Sequence, residues 1–302
     1  MTFFKFGKAP RWLVSLLLLS AGAAAGFGLG IFCGAEPVVG CRESDLTPLP
    51  DESFVSPVPA SSVQTPPEPE PLPDKWVCLT FDDGPSKTTP DVLAALNRAG
   101  VKATFFVVAT GHNDKYLPLV SEAAAAGHQI ALHSASHEYS DIYQSPDAYW
   151  KDIGLLKERL SPYLSVDGLR YLRFPGGSTN TVSRRYGGRG LMQQLKEEVT
   201  AKGYAYVDWN VCAEDAVGGK PSAGTIFRNI VRETGEQTQC IVLMHDSATT
   251  HTTAEALPDI IQWYKDNGFA FLTVAAGRSS ARDIAKSPGG PARRQTFRGF
   301  GA

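Results

Sequence analysis

A regular alternation of short, β-rich apolar runs with longer amphipathic runs dominates the chain between residues 76 and 274. Seven runs have the composition of strands: 76–81, 103–108, 129–132, 171–174, 204–208, 241–244 and 270–274. Six runs between them have helical periodicity, most with a glycine suited to a helix C-terminus close behind: 90–99, 116–126, 147–160, 191–202, 223–233 and 253–267. The alternation predicts βα units around a parallel sheet. We therefore expect an α/β fold, a distorted and incomplete (β/α) barrel of about seven parallel strands, with an open doubly wound sheet as the alternative.

Composition excludes some functions without naming one. The 302 residues are 43% hydrophobic and 20% charged, which is typical of a globular protein. A formal net charge of −2 gives no basic excess, so we expect no nucleic-acid partner. We also expect the protein to be a monomer. The five cysteines show no Cys-x-x-Cys spacing. Cys78 and Cys240 lie in apolar strand-like runs and are expected to be buried free thiols, with a bridge between them as the alternative.

The N-terminal flank has the pattern of a membrane-inserting segment. Lys5, Lys8 and Arg11 precede an uncharged run over 12–35, which is long enough to cross a hydrocarbon layer of about 30 Å. The apolar run continues past the small residues at 21–23, so we expect an uncleaved anchor over 1–35, with a cleaved signal peptide as the alternative. The positive flank places the rest of the chain outside the cytoplasm, either membrane-attached or secreted.

Two further segments cannot bury a core. The stretch 36–74 is rich in Pro, Ser and acidic residues and is expected to be a disordered linker. The stretch 277–302 lacks apolar periodicity and is expected to be a disordered tail. Residues 75–276 are therefore predicted to form the folded domain.

Polar clusters follow several of the predicted strands: Asp82-Asp83, His133 with His137, Arg173, Asp208-Trp209 and His245-Asp246. In parallel α/β folds the carboxyl ends of the strands meet at one edge, so segments distant in sequence are expected to converge there. His133 and His137, four residues apart, are able to face one point, and a carboxylate from the TFDDGP segment would complete a His₂-carboxylate metal set with an open position. Without that carboxylate, two surface histidines at this spacing would be the simpler interpretation.

Five strings occur in order along the chain: TFDDGP, HSASH, RFPGG, DWNVCAED and LMHD. Together they resemble the five motifs of the polysaccharide deacetylases of carbohydrate esterase family four, over roughly residues 75–274. The resemblance implies that Asp82 is the general base, oriented by Arg173. It also implies that His245 is the general acid, with Asp215 as its partner.

The resemblance further implies a divalent metal, Zn²⁺ first and Co²⁺ or another divalent ion as alternatives, bound by three ligands: Asp83, His133 and His137. Three residues are expected to contact substrate: Gly176 through its backbone N–H, Trp209 as a stacking wall and Leu243 at the acetyl methyl. Core packing is the competing interpretation for Trp209 and Leu243.

The expected reaction is removal of N-acetyl groups from a cell-wall glycan, with peptidoglycan outside the membrane of a bacterium as the substrate. The predicted anchor and linker favour that substrate, because they would hold the domain near the wall. An O-deacetylase or a chitooligosaccharide deacetylase would use the same site. A non-catalytic wall-binding module would be expected to lack a ligand, base or acid, and none is missing from the motifs.

Overall fold

The computed structural model describes residues 72–278. The expected membrane segment at 1–35 lies outside this range, as do nearly all of the linker 36–74 and the tail 277–302. Within the part that is described, no helix is both long enough and apolar enough to cross a membrane.

Eight parallel strands in this range form one sheet: β1 Trp76–Asp82, β2 Thr104–Val108, β3 Gln129–Ser134, β4 Tyr171–Leu172, β5 Ala205–Tyr206, β6 Val211–Cys212, β7 Gln239–His245 and β8 Ala270–Phe271. Their order is β5-β4-β3-β2-β1-β7-β6, and β8 pairs with the start of β1. This is the circular order of a (β/α) barrel, interrupted once between β5 and β6. β7 pairs with all seven residues of β1 and so occupies one of its edges. On the other edge, β2 pairs with the last three residues of β1 and β8 pairs with the first two.

The short connection between β5 and β6 shows that the sheet is curled. These strands end the sheet at opposite edges, yet only residues 207–210 join them. Such a connection spans at most about 17 Å. In a flat sheet, six spacings of about 4.8 Å would separate the same edges by roughly 29 Å. The edges must therefore approach each other, which confirms the incomplete barrel and excludes the open doubly wound sheet.

The α-helices of residues 72–278 are α1 Thr89–Ala99, α2 Pro118–Ala125, α3 Tyr139–Ile142, α4 Pro146–Leu160, α5 Ser183–Gly187, α6 Leu191–Ala201, α7 Ala223–Thr234, α8 His251–Asp266 and α9 Val274–Arg278. Local sequence explains where the long ones start and stop. Ser145 precedes α4, and its hydroxyl accepts a hydrogen bond from the backbone N–H of Ala148. α1 ends at Gly100, whose φ of 70° is accessible to glycine at little cost.

Alternate residues of each strand enter two different cores. On β1, Val77, Leu79 and Phe81 belong to the large core shared with the helices. The residues between them face the barrel interior, where a smaller core is formed by Trp76, Cys78, Phe106, Ala131, Val207 and Val274. This small core extends from the amino-terminal end of the barrel up to Phe106, which is in register with Asp82, and the polar side chains lie above it at the carboxyl end.

The same alternation separates the two cysteines of the central strands. Cys78 pairs in register with Ile241, one position beyond Cys240, so the two thiols lie on opposite faces of the sheet. Both are buried and free, as predicted. Burial raises the pKa of Cys78 to about 12, which keeps its thiol protonated and unreactive.

Several predicted boundaries were wrong. The expected strand 270–274 ends at Phe271, and Val274 instead begins α9, where it closes the small core. The runs 171–174 and 204–208 form two-residue strands, because the chain leaves the sheet to build the site loops. Strand β6 was not predicted, since two residues are too few to show a period.

Candidate metal and catalytic site

The parallel strands bring the predicted polar residues to one end of the barrel. Asp82 ends β1, His133 lies near the end of β3, His245 ends β7, and Arg173 directly follows β4. Asp82 and His245 are register partners on neighbouring strands. The site therefore depends on the strand order, which brings residues 40 to 91 positions apart into hydrogen-bonding contact.

Asp83, His133 and His137 form a cluster able to hold a metal ion. Asp83 Oδ1 lies 3.5 Å from His133 Nε2 and 3.2 Å from His137 Nε2. All three potential ligand atoms lie within 4.8 Å of one another. Ligands bound tetrahedrally at 2.0–2.2 Å are separated by about 3.4 Å, so little movement is needed to bind an ion.

The environment of Asp83 also fits a cation. Its Oδ1 is buried and receives no hydrogen bond from the described residues. Burial opposes its ionisation, but His137, His245 and His133 together lower the pKa of Asp83 below its ordinary value, so it is a carboxylate. A buried carboxylate oxygen without a donor is costly unless a cation meets it. The donor set therefore suits a divalent ion.

His133 is held in the form that a metal ligand requires. Its Nδ1 lies 2.7 Å from the carbonyl oxygen of Arg173, to which the Nδ1–H donates. Nε2 then keeps its lone pair on the side of Asp83. Burial lowers the pKa of His133 against the opposing effects of Asp82 and Asp83, so the ring is neutral.

Asp82 is fixed by a buried arginine. Arg173 Nη1 donates to Asp82 Oδ1 over 2.7 Å and to Thr80 Oγ1 over 2.8 Å, and Arg173 Nε donates to the carbonyl of Val207. The guanidinium also stacks on Phe106, with Cζ 4.1 Å from the ring centroid. Asp82 Oδ2 accepts no hydrogen bond from the described part of the chain. It lies 3.8 Å from His133 Nε2 and is positioned to accept a proton beside the metal cluster.

On the neighbouring strand β7, the side chain of His245 is held in position by Asp215. Its Nδ1 lies 2.8 Å from Asp215 Oδ1, and its backbone N–H donates to Asp215 Oδ2 over 2.7 Å. Thr253 Oγ1 donates to the same carboxylate. Burial disfavours the charged imidazolium, but the charge and hydrogen bond of Asp215 prevail and raise the pKa of His245 to about 10. His245 is therefore protonated at neutral pH, as a general acid must be.

The RFPGG loop forms another wall of the site. Gly176 and Gly177 have φ values of 77° and 82°, which strain any other residue. A Cβ on Gly176 would lie 3.0 Å from Tyr139 Oη, and a Cβ on Gly177 would lie 3.0 Å from Trp209 Cη2. Because neither glycine has a side chain, the loop backbone can lie close to the rings of Tyr139 and Trp209.

Trp209 and Leu243 differ in accessibility. Trp209 is half-buried at the rim of the site, and its ring centroid lies 5.5 Å from Cζ of Arg173. Leu243 is 6% exposed and faces the barrel interior two positions before His245, because Val242 belongs to the outer core. Trp209 is open to a ligand, whereas Leu243 lies deeper, beneath the acid.

Sequence analysis missed three polar residues that support the site: Thr80, Thr253 and Asp152. Thr80 and Thr253 gave no signal, because isolated threonines in a strand and a helix are ordinary. Asp152 lies on the apolar face of α4 and is 8% exposed. An acidic residue in such a face was the signal that could have identified it.

Comparison with known proteins agrees with the geometry. The family model for polysaccharide deacetylases matches residues 70–189. A peptidoglycan-N-acetylglucosamine deacetylase of Bacillus cereus is 30% identical over 204 residues, 65% of this chain and 68% of the relative. One from Listeria monocytogenes is 33% identical over 71% of this chain, but that match spans only 41% of the relative's length.

Solved structures show the same fold. The catalytic domain of peptidoglycan N-acetylglucosamine deacetylase from Eubacterium rectale is 39% identical, with a TM-score of 0.62 over 66% of this chain and 88% of that domain. A family 4 acetyl xylan esterase from Clostridium thermocellum, in complex with a cobalt ion, is 28% identical, with a TM-score of 0.55 over 68% of this chain and 91% of its own. The chain belongs to the polysaccharide deacetylase family, carbohydrate esterase family four.

Proposed function

We propose that this chain is a metal-dependent hydrolase that removes N-acetyl groups from peptidoglycan and releases acetate. One observation carries the proposal: the ligand cluster Asp83, His133 and His137 lies between a carboxylate held by an arginine and an imidazole held by a carboxylate. This arrangement provides a base and an acid on neighbouring strands, as hydrolysis of an amide requires.

A divalent ion, Zn²⁺ or Co²⁺, held by the three ligands would lower the pKa of a water molecule and polarise the acetamide carbonyl. Asp82 Oδ2 accepts a proton from the attacking water, because Oδ1 is already bonded to Arg173. The water oxygen forms a bond to the carbonyl carbon as the proton leaves. Arg173 holds the Asp82 carboxylate in position for this step through its bond to Oδ1.

His245 completes the reaction. Nδ1 is bonded to Asp215, so Nε2 carries the proton that the departing nitrogen needs. The carbon–nitrogen bond breaks, the nitrogen takes that proton as an amine, and acetate remains. The backbone N–H of Gly176 is proposed to donate to the oxygen that gains charge, because the glycine leaves the loop open to close approach.

The relatives support the choice of substrate. The Bacillus, Listeria and Eubacterium proteins are described as peptidoglycan N-acetylglucosamine deacetylases. Trp209 at the rim offers a flat apolar face of the kind that stacks on sugar rings. We also propose that segment 1–35 holds the domain at the outer surface of the membrane, or directs its secretion if it is cleaved.

The test uses the purified full-length protein with peptidoglycan from a bacterial wall. Released acetate, new free amines and a mass loss on the sugar are measured before and after metal removal by a chelator. We expect all three products, their loss on chelation and their return with Zn²⁺ or Co²⁺. Full activity with metal content verified as nil would refute metal dependence.

Ester hydrolysis is the second candidate, because the similar Clostridium structure is an acetyl xylan esterase. The same residues would act on an ester. Acetylated xylan is therefore tested in parallel, and faster acetate release from xylan than from peptidoglycan would favour this candidate.

A further inference from the structure

We infer that Asp152 is a positioning residue that holds the loop between the two metal-binding histidines in its binding shape. Asp152 lies on α4 and belongs to neither the ligand set nor the acid-base pair. The inference deepens the proposed function and rests on the metal site proposed there.

Every hydrogen bond that the Asp152 carboxylate accepts from residues 72–278 comes from the loop between His133 and His137. Oδ1 accepts from the backbone N–H and the hydroxyl of Ser136, both over 2.9 Å. Oδ2 accepts from the hydroxyl of Ser134 over 2.7 Å and from the backbone N–H of Ala135 over 2.8 Å. All three residues between the histidines are therefore bonded to one carboxylate.

The bonds continue from Asp152 to the second ligand. Ser134 Oγ donates to Asp152 and also accepts from the backbone N–H of His137 over 2.9 Å. His137 has a φ of 57°, in the left-handed region that strains a residue with a side chain. Such a conformation persists only where its surroundings impose it, and Asp152 with Ser134 supplies that restraint.

The charge of Asp152 is not neutralised by an ion pair within the described structure. It is 8% exposed, and no lysine, arginine or histidine of residues 72–278 forms an ion pair with it. A buried carboxylate satisfied by four donors of a single loop restrains that loop more strongly than a neutral acceptor would. The neighbouring α4 residues Tyr149, Ile153 and Leu156 are buried and fix the carboxylate in turn.

The informative variant is Asp152→Asn, which keeps the size of the side chain but replaces one acceptor oxygen with a donor amide. Loss of a partner behind a metal ligand lowers metal affinity by about 10- to 100-fold. We expect that loss for Zn²⁺ and Co²⁺, while turnover at saturating metal changes much less, because base and acid are untouched. Ser136→Ala removes one of the four bonds and should lower affinity by a smaller factor.

A matched control separates positioning from general loss of stability. Thr234→Val removes a buried hydrogen bond to Tyr264 Oη, 2.6 Å long, on a helix that carries no site residue. It should lower the melting temperature of the metal-free protein without changing metal affinity.

The experiment titrates Zn²⁺ and Co²⁺ into metal-free, full-length protein against a chromophoric chelator, with melting curves recorded in parallel. Weaker binding by Asp152→Asn, but not by Thr234→Val at a similar melting temperature, supports the inference. Wild-type affinity in Asp152→Asn, or an equal loss in the control, overturns it. If Asp152→Asn does not fold, unchanged affinity in Ser136→Ala overturns it equally. Failure of the wild type to bind either ion would refute the metal site itself.

Discussion

Replacing Arg173 tests the buried ion pair at the centre of the site. Arg173 is 0% exposed and Asp82 is 4% exposed, so Arg173→Met leaves a carboxylate in the barrel without its cation. Breaking a buried pair on one side costs about 3–5 kcal/mol. For a domain of this size each kcal/mol lowers the melting temperature by roughly 2–4 °C. We therefore expect a fall of about 6–20 °C.

The double variant Arg173→Met with Asp82→Asn identifies the cause of that loss. It removes both charges and leaves two neutral side chains of similar size, so most of the lost stability should return. Acetate release should stay absent in both variants, because neither retains an oriented base. Calorimetry of metal-free protein and the acetate assay are run on the same preparations.

One result would refute this reasoning. If the double variant is as unstable as Arg173→Met, the loss comes from the packing of the guanidinium on Phe106 and its bond to the carbonyl of Val207, and not from an unpaired Asp82. Adding the second substitution should therefore restore stability if the unpaired carboxylate is the cause, and leave it unchanged if lost packing is the cause.

Further predictions concern the proton-transfer groups and the glycine loop. Asp82→Asn and His245→Ala should each keep metal affinity but lose roughly 10²- to 10⁴-fold in turnover, with less than additive loss in the double variant; near-wild-type rates in either would exclude that role. Because the pKa of His245 is raised to about 10, its pair with Asp215 stabilises the fold fully below the unfolded value of 6.5 and loses its effect as pH rises through about 10. The melting difference between wild type and Asp215→Asn should therefore shrink from pH 6.5 to pH 10, and a growing difference would contradict the assignment. Gly176→Ala should lower kcat/KM by about 10²-fold, because its φ is 77° and its Cβ would meet Tyr139 Oη at 3.0 Å; wild-type kinetics would show that the loop adapts.

Side-chain chemistry and local periodicity were readable from the sequence. The alternation of runs predicted the parallel strands and long helices, because a strand or helix imposes its own period on its residues. The five motifs named the residues that the structure brings together around Asp83, since their chemistry is written locally in each string. Their roles in metal binding and proton transfer stay predictions until measured.

Tertiary structure alone decided how those strings meet. The sequence could not show that the barrel is interrupted between β5 and β6, because strands of two residues have no detectable period. It could not show that Asp152 holds the histidine loop, because that contact joins a helix to a loop 16 to 18 residues away. Hydrogen bonds between distant segments depend on packing that no local pattern encodes. The sequence by itself therefore determined the chemical groups and the long strands and helices between 76 and 274. Only the tertiary structure decided the short strands and which side chain positions each functional group.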